Sequence, residues 1–281
     1  MCEIYMDEIN LKLKKFDITS MKDDSVIAMI AKRNSGKSIL CADLLYHHRN
    51  IPAGVIISPT EKANSFYGDF VPDCFIHDEF NPLIISKLLQ RQEILIHKNK
   101  TDSPIDGRAF LILDDCLYDT KWIKDINMRS VFMNGRHYKL MFILTMQFAL
   151  GIPPNLRTNI DYIFILRENI VSNRKRLYDH YAGMFPTFEM FCKVMDKCTQ
   201  NYECLVIYNG AKTNNLEDQI FWYKADMHPT FKMGSPKFWN YHKKKYNKNN
   251  NNPYLKHSLA NIDPLYCKQN KNRLVLNVEK T

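Results

Sequence analysis

Short runs of consecutive apolar residues alternate along this chain with longer stretches that are apolar at helical spacing. Val26-Ile27-Ala28-Met29-Ile30 is the first such run, and Ile39, Leu40, Ala42, Leu44 and Leu45 then follow a helical period. Pro52-Ala53-Gly54 breaks the chain before a second run, Val55-Ile56-Ile57-Ser58. Residues 59–80 are irregular. Asn81-Pro82 reads as a helix start, with Leu83, Ile84, Leu88, Leu89, Ile94 and Leu95 on the helix and a polar loop from Lys98 to Arg108. Ala109 to Leu113 is a third run and ends in Asp114-Asp115. A helix is predicted over Lys121 to Arg136, ending near Gly135, then a strand over Leu140 to Gln147, a loop at Pro153 to Arg157 and a strand over Ile160 to Leu166. Helices over Arg174 to Met184 and Phe188 to Cys198 come next, then an edge hairpin of Tyr202–Tyr208 and Gln219–Lys224. Ile9, Leu11 and Leu13 alternate and suggest a lead-in strand. Runs apolar on both faces, alternating with helices, predict an α/β layered domain with a mostly parallel central sheet flanked by helices.

Chemistry gathers at the ends of these runs. Between the first strand and its helix lies Ala31-Lys32-Arg33-Asn34-Ser35-Gly36-Lys37-Ser38. Strand, loop and helix are the setting in which backbone N–H groups cradle a polyphosphate, with the helix N-terminus facing its charge. The expected nucleotide contacts run from Ala31 to Ile39. Lys37 would reach the β- and γ-phosphates, and the Ser38 hydroxyl would take a Mg²⁺ site. The usual first glycine of such loops is Ala31 here. Asp114, at the end of a strand, would hold the Mg²⁺, and Asp115 would polarise the attacking water. Gln147 closes another apolar strand and is a candidate to orient that water or sense the γ-phosphate. Asn99-Lys100-Thr101-Asp102 matches a guanine-reading pattern but precedes the acidic strand, out of order for that role, so ATP is favoured over GTP.

Composition narrows the picture. The 281 residues are 45% hydrophobic, enough for one large core. No run of eighteen uncharged apolar residues occurs, so no membrane span is expected. The first eight residues are acidic rather than basic and lack an apolar core, so no export signal is expected. The eight cysteines are scattered without a C-x-x-C pair, which suggests buried thiols in a reducing compartment. The formal charge is +9, and Lys237 to Thr281 holds ten Lys/Arg against two acids, so nearly all the excess sits in that tail. Residues 1–236 are expected to form the folded domain, and 237–281 a basic Asn/Lys-rich tail without stable structure. Its lysines suit phosphates, and Tyr241, Tyr246, Tyr254 and Tyr266 could stack on bases.

Five blocks in order, the loop Ala31–Ser38, Leu111–Asp115, Asn134–Tyr138, Leu144–Gln147 and Pro153–Arg157, resemble the genome-packaging ATPases of large nucleocytoplasmic DNA viruses, members of the FtsK–HerA group of P-loop NTPases. The likeness spans about residues 10–235. It implies a sensor strand between the phosphate-loop strand and the Asp114 strand. It implies a homo-oligomeric ring around double-stranded DNA, with ATP at each subunit boundary and an arginine supplied by the neighbour. Arg136 is the first candidate for that arginine and Arg157 the second. It also implies capsid or membrane-associated assembly partners, and work at the host-cytoplasmic assembly site or in the virion. Two alternatives stay open: a helicase-like ATPase of replication or recombination, and a nucleotide-dependent DNA-binding scaffold without turnover.

Overall fold

The computed structural model describes residues 11–101, 105–116 and 121–245. The strands are β1 (Lys14–Lys15), β2 (Val26–Ile30), β3 (Gly54–Ile57), β4 (Ile76–His77), β5 (Ala109–Asp114), β6 (Leu140–Met146), β7 (Tyr162–Ile165), β8 (Glu203–Tyr208) and β9 (Ile220–Lys224). They form one sheet in the order β1-β9-β8-β7-β2-β6-β5-β3-β4. The pairings from β7 through β4 are parallel, β7–β8 and β8–β9 are antiparallel, and β1 adds to β9 in parallel. The fold is thus α/β with a mostly parallel sheet, and β6 lies between β2 and β5, as the resemblance implied. The β8–β9 hairpin stands near one end of the sheet, and the two-residue β1 is the strand beyond it.

The central strands are parallel because each is covered on both faces. Every residue of β2, β5, β6 and β7 is buried, and consecutive parallel strands need helical crossovers to return to the same end. The main helices are α1 (Lys37–His47), α2 (Pro82–Thr101), α3 (Ile126–Asn134), α4 (Val171–Tyr181) and α5 (Phe188–Cys198). Val26, Ala28 and Ile30 alternate onto one face with Leu111, Leu113, Phe142 and Leu144. There they share a core with Ile85 and Leu88 of α2, Val131 and Phe132 of α3, Leu177 of α4 and Phe191 of α5. Ile27 and Met29 point to the opposite face, the side of α1, whose Leu40, Leu44 and Leu45 are buried.

Several boundaries differ from the sequence expectation for local reasons. The helix expected over Lys121 to Arg136 is two, Lys121–Lys124 and α3, because Asp125 is extended and its carboxylate accepts the Met128 N–H as an N-cap. Helix α2 runs through the polar stretch to Thr101, and Asn99 then ties the returning chain by pairing with both N–H and C=O of Ile105. Asn99 therefore has a structural post; Asp102, the last residue of the guanine-reading pattern, lies outside the described residues. Pro153 to Arg157 is a helical turn, Pro154–Arg157, rather than a plain loop. The irregular 59–80 region contains the short strand β4. The basic tail begins with a helix, Pro236–Lys245, and its remainder lies outside the described residues. Of the cysteines, Cys41, Cys116, Cys198 and Cys204 are buried free thiols as expected, whereas Cys74 and Cys192 are half-buried.

The close approach of β3 to β5 sets one tight position. A methyl group added at Gly54 would lie 2.3 Å from Cγ of Phe110, a fully buried ring. Gly54→Ala is expected to cost about 1–3 kcal/mol by overpacking, read as a lower midpoint in denaturant unfolding.

Candidate nucleotide site

The site forms at the C-terminal ends of the parallel strands, where the chain leaves β2, β5 and β6. The loop after β2 turns through two left-handed residues, Asn34 (φ 61°) and Gly36 (φ 98°), before α1 begins at Lys37. Asn tolerates that region and Gly occupies it freely, so the sequence fits the turn. Ser35 Oγ donates to Lys32 C=O at 2.6 Å and closes the loop on itself. Ala31, where a glycine is usual, is buried, has no positive φ, and donates its N–H to Met146 C=O at 2.9 Å. The backbone at that position thus does not require glycine. Gly36 is the N-cap residue and offers no side chain, which leaves the first N–H groups of α1 at Lys37, Ser38 and Ile39 toward the loop. Ser38 and Ile39 are exposed.

Lys37 meets both carboxylates. Its Nζ lies 3.2 Å from Asp114 Oδ1 and 2.5 Å from Asp115 Oδ2. Asp114 ends β5 and is further held by Thr145 Oγ1 at 2.5 Å and Ser58 Oγ at 3.2 Å, both hydroxyls donating to it. Thr145 faces Asp114 because β5 and β6 pair in register at these residues. Its hydroxyl also accepts the Asp115 N–H at 3.1 Å. Asp115 is left-handed (φ 54°), a conformation that swings its carboxylate off the strand line toward Lys37. Gln147 Nε2 donates to Asp115 Oδ2 at 3.0 Å. Lys37, Asp114, Asp115 and Gln147 therefore meet at one point. Thr145 and Ser58 are the additions that motif reading did not supply, and the register of Thr145 opposite Asp114 was the available signal.

Beside the loop, a crevice opens between Ala31 and Lys32, Gln147 and Phe148, and Leu166 and Arg167. Phe148 is 62% exposed at its rim. The exposed ring of Tyr202 packs on Gly36 from the start of β8: a methyl group at Gly36 would lie 3.3 Å from its Cδ1.

The two candidate arginines sit elsewhere. Arg136 precedes β6, at the end of the sheet opposite to Lys37; it is ion-paired to Asp161, whose other oxygen accepts the Val26 N–H at 2.9 Å. Its side chain is 66% exposed. Arg157 is held within the chain: it donates to the carbonyls of His180 at 3.1 Å and Ile152 at 3.2 Å, and its guanidinium lies over the Tyr181 ring. Burial pushes Tyr181 up to about 12, so it stays a neutral phenol. Two of its guanidinium nitrogens are thus engaged within the chain, while the residue stays half-buried.

Thr145→Val keeps the shape of the side chain and removes its hydroxyl. The Asp115 N–H and one Asp114 oxygen each lose a partner, which is expected to cost about 1–3 kcal/mol of stability. Nucleotide hydrolysis is expected to fall with it, measured as steady-state phosphate release.

No family model matches the chain. A protein of Acanthamoeba polyphaga mimivirus, uncharacterized protein L437, is 41% identical over 281 residues, covering 98% of this chain and 99% of that one. Uncharacterized protein 088R of Invertebrate iridescent virus 3 is 36% identical over 78% of this chain and 87% of its own. The chain belongs to this family of large nucleocytoplasmic DNA virus proteins. Among solved structures, the DNA-packaging ATPase B204 from Sulfolobus turreted icosahedral virus superposes with TM-score 0.54 at 19% identity, covering 74% of this chain and all of that one. B204 of Sulfolobus turreted icosahedral virus 2, solved with ATP-γS, gives TM-score 0.53 at 19% identity. The chain thus shares with B204 an α/β fold with a mostly parallel central sheet flanked by helices. No helix among the described residues is long and apolar enough to cross a membrane.

Proposed function

We propose that this viral protein is a Mg²⁺-dependent ATPase that drives double-stranded DNA into a capsid. One observation carries the reading: the Lys37 ammonium and the Asp114 and Asp115 carboxylates converge at the strand ends, 3.2 and 2.5 Å apart, beside a helix N-terminus. The viral origin of its relatives and the shared fold of B204, a DNA-packaging ATPase, support the direction of the work.

Each side chain has a task in phosphoryl transfer to water, which depends on positioning and charge neutralisation. The ammonium of Lys37 leaves the carboxylates and takes the β- and γ-phosphates. The hydroxyl of Ser38 and the carboxylate of Asp114, itself oriented by Thr145 and Ser58, are hard oxygen donors of the kind that suit magnesium. These two residues would hold a magnesium ion, which would supply charge neutralisation at the phosphate oxygens. Asp115 then accepts a proton from, or polarises, the attacking water. Gln147, bonded to Asp115, is placed to register whether the γ-phosphate is present.

Arg136 serves a neighbouring subunit in this reading, since it lies at the far end of its own sheet and is exposed. Arg136→Ala is expected to cut ATP hydrolysis by about 10³–10⁵-fold if it is the finger. Mixing that variant with Lys37→Ala is expected to restore part of the activity, because some boundaries then join an intact loop to an intact arginine. Residues 1–236 form the motor in this account, and the basic tail adds phosphate contacts at the host-cytoplasmic assembly site. A translocation assay on duplex DNA with an unwinding control tests the assignment. ATP-driven movement without strand separation is expected. Strand separation would point to a helicase, and neither activity to a scaffold.

A further inference from the structure

We propose that Asp43, His47 and His228 bind a zinc ion that fastens the phosphate-loop helix to the chain segment following β9. This site lies apart from the nucleotide site and does not depend on its function.

Asp43 and His47 stand one turn apart on α1, six and ten residues after Lys37, so their side chains lie on the same face. His228 arrives from the segment after β9. His228 Nε2 lies 2.5 Å from Asp43 Oδ1 and His47 Nε2 lies 3.4 Å from the same oxygen. All three ligating atoms fall within 4.8 Å of one another. Ligands at the usual zinc distances around a tetrahedral ion stand roughly 3.3 Å apart, so His228 needs to withdraw by only about an ångström to admit one. Three protein ligands leave a fourth position for water.

The surroundings fit a metal more fully than a chance contact. Asp43 has no exposed side-chain surface, and a buried carboxylate needs a compensating charge. Two imidazoles supply that charge only if one is protonated; a divalent ion supplies it with both neutral. The second oxygen of Asp43 is already fixed, accepting from Tyr223 Oη at 2.5 Å and from the Asp226 N–H at 3.3 Å. Partners of this sort aim a ligating carboxylate and leave its other oxygen for the ion. The His228 ring is also set: it stacks on Tyr46 at 3.7 Å between centroids, nearly parallel, with the Arg49 guanidinium over the same tyrosine.

The consequence is mechanical. Beyond His228 the segment crosses the end of α1: Phe231 stacks on Phe70, Met233 N–H donates to Phe70 C=O, and Gly234 N–H donates to Arg49 C=O. A bound ion adds to the Asp226 contact near the start of this strap and ties it to the helix that carries Lys37.

The test uses the full chain, stripped with chelator and titrated with zinc against a chromophoric competitor, with cobalt(II) as a spectroscopic stand-in. One equivalent is expected to bind, with a tetrahedral cobalt spectrum lacking a thiolate charge-transfer band, and thermal unfolding is expected to shift upward. His228→Ala, on the partly exposed strap, is expected to weaken binding at least about 100-fold, beyond the roughly 10–100-fold loss expected for Tyr223→Phe, which removes an orienting partner. His47→Ala provides a second ligand deletion. No stoichiometric uptake by the wild-type chain overturns the proposal. So does wild-type affinity in either histidine variant, or a thiolate band, which would place the ion on cysteines.

Discussion

Lys37→Ala is expected to fold like the wild type and to lose the proposed ATP hydrolysis, by about 10²–10³-fold or more, the range seen when one preorganised charge is taken from a developing anion. The fold survives because the two carboxylates it leaves behind have other partners. Asp114 keeps Thr145 and Ser58, and Asp115 keeps Gln147. The chemistry does not survive because, in the site described, Lys37 is the ammonium between Asp114 and Asp115 at the helix N-terminus. Far-ultraviolet circular dichroism and phosphate release on the same sample give both halves of the result. Turnover at the wild-type rate would remove Lys37 from the mechanism.

Asp115→Asn separates binding from hydrolysis. Asparagine tolerates the left-handed conformation at φ 54°, so the turn after β5 stands. ATP affinity is expected to change little, because Asp114 and Ser38, the proposed Mg²⁺ ligands, are untouched. Hydrolysis is expected to fall by about 10²–10⁴-fold, the usual range for loss of a general base. Nucleotide binding by fluorescence titration, beside single-turnover hydrolysis, reads both quantities. Loss of both would assign Asp115 to the metal.

The sheet, and the residues that converge in the candidate site, were legible in the sequence because the governing patterns are local. Five buried apolar runs and the helices between them mark β2, β3, β5, β6 and β7, and a buried parallel strand can hardly look otherwise. Gly36-Lys37-Ser38 and Asp114-Asp115 are adjacent residues whose chemistry depends on strand ends. The order of strands is not local: it came from resemblance, and the observed neighbours of β6 agree with it. What stayed hidden depends on register or on contacts far apart in the chain. Thr145 matters only because it pairs across from Asp114. Ser58 reaches Asp114 over 56 residues, and His228 reaches Asp43 over 185. Asp125 divides a predicted helix by capping Met128, an effect that apolar spacing does not register. The tethering of Arg157 by Ile152, His180 and Tyr181 is likewise tertiary.

The central claim is that Lys37, Ser38, Asp114 and Asp115 act on one triphosphate. The most direct measurement is ATP hydrolysis by the full chain with Mg²⁺, with and without duplex DNA. Turnover that needs Mg²⁺ and rises with duplex DNA is expected. Tight ATP binding with no turnover under either condition would contradict the account.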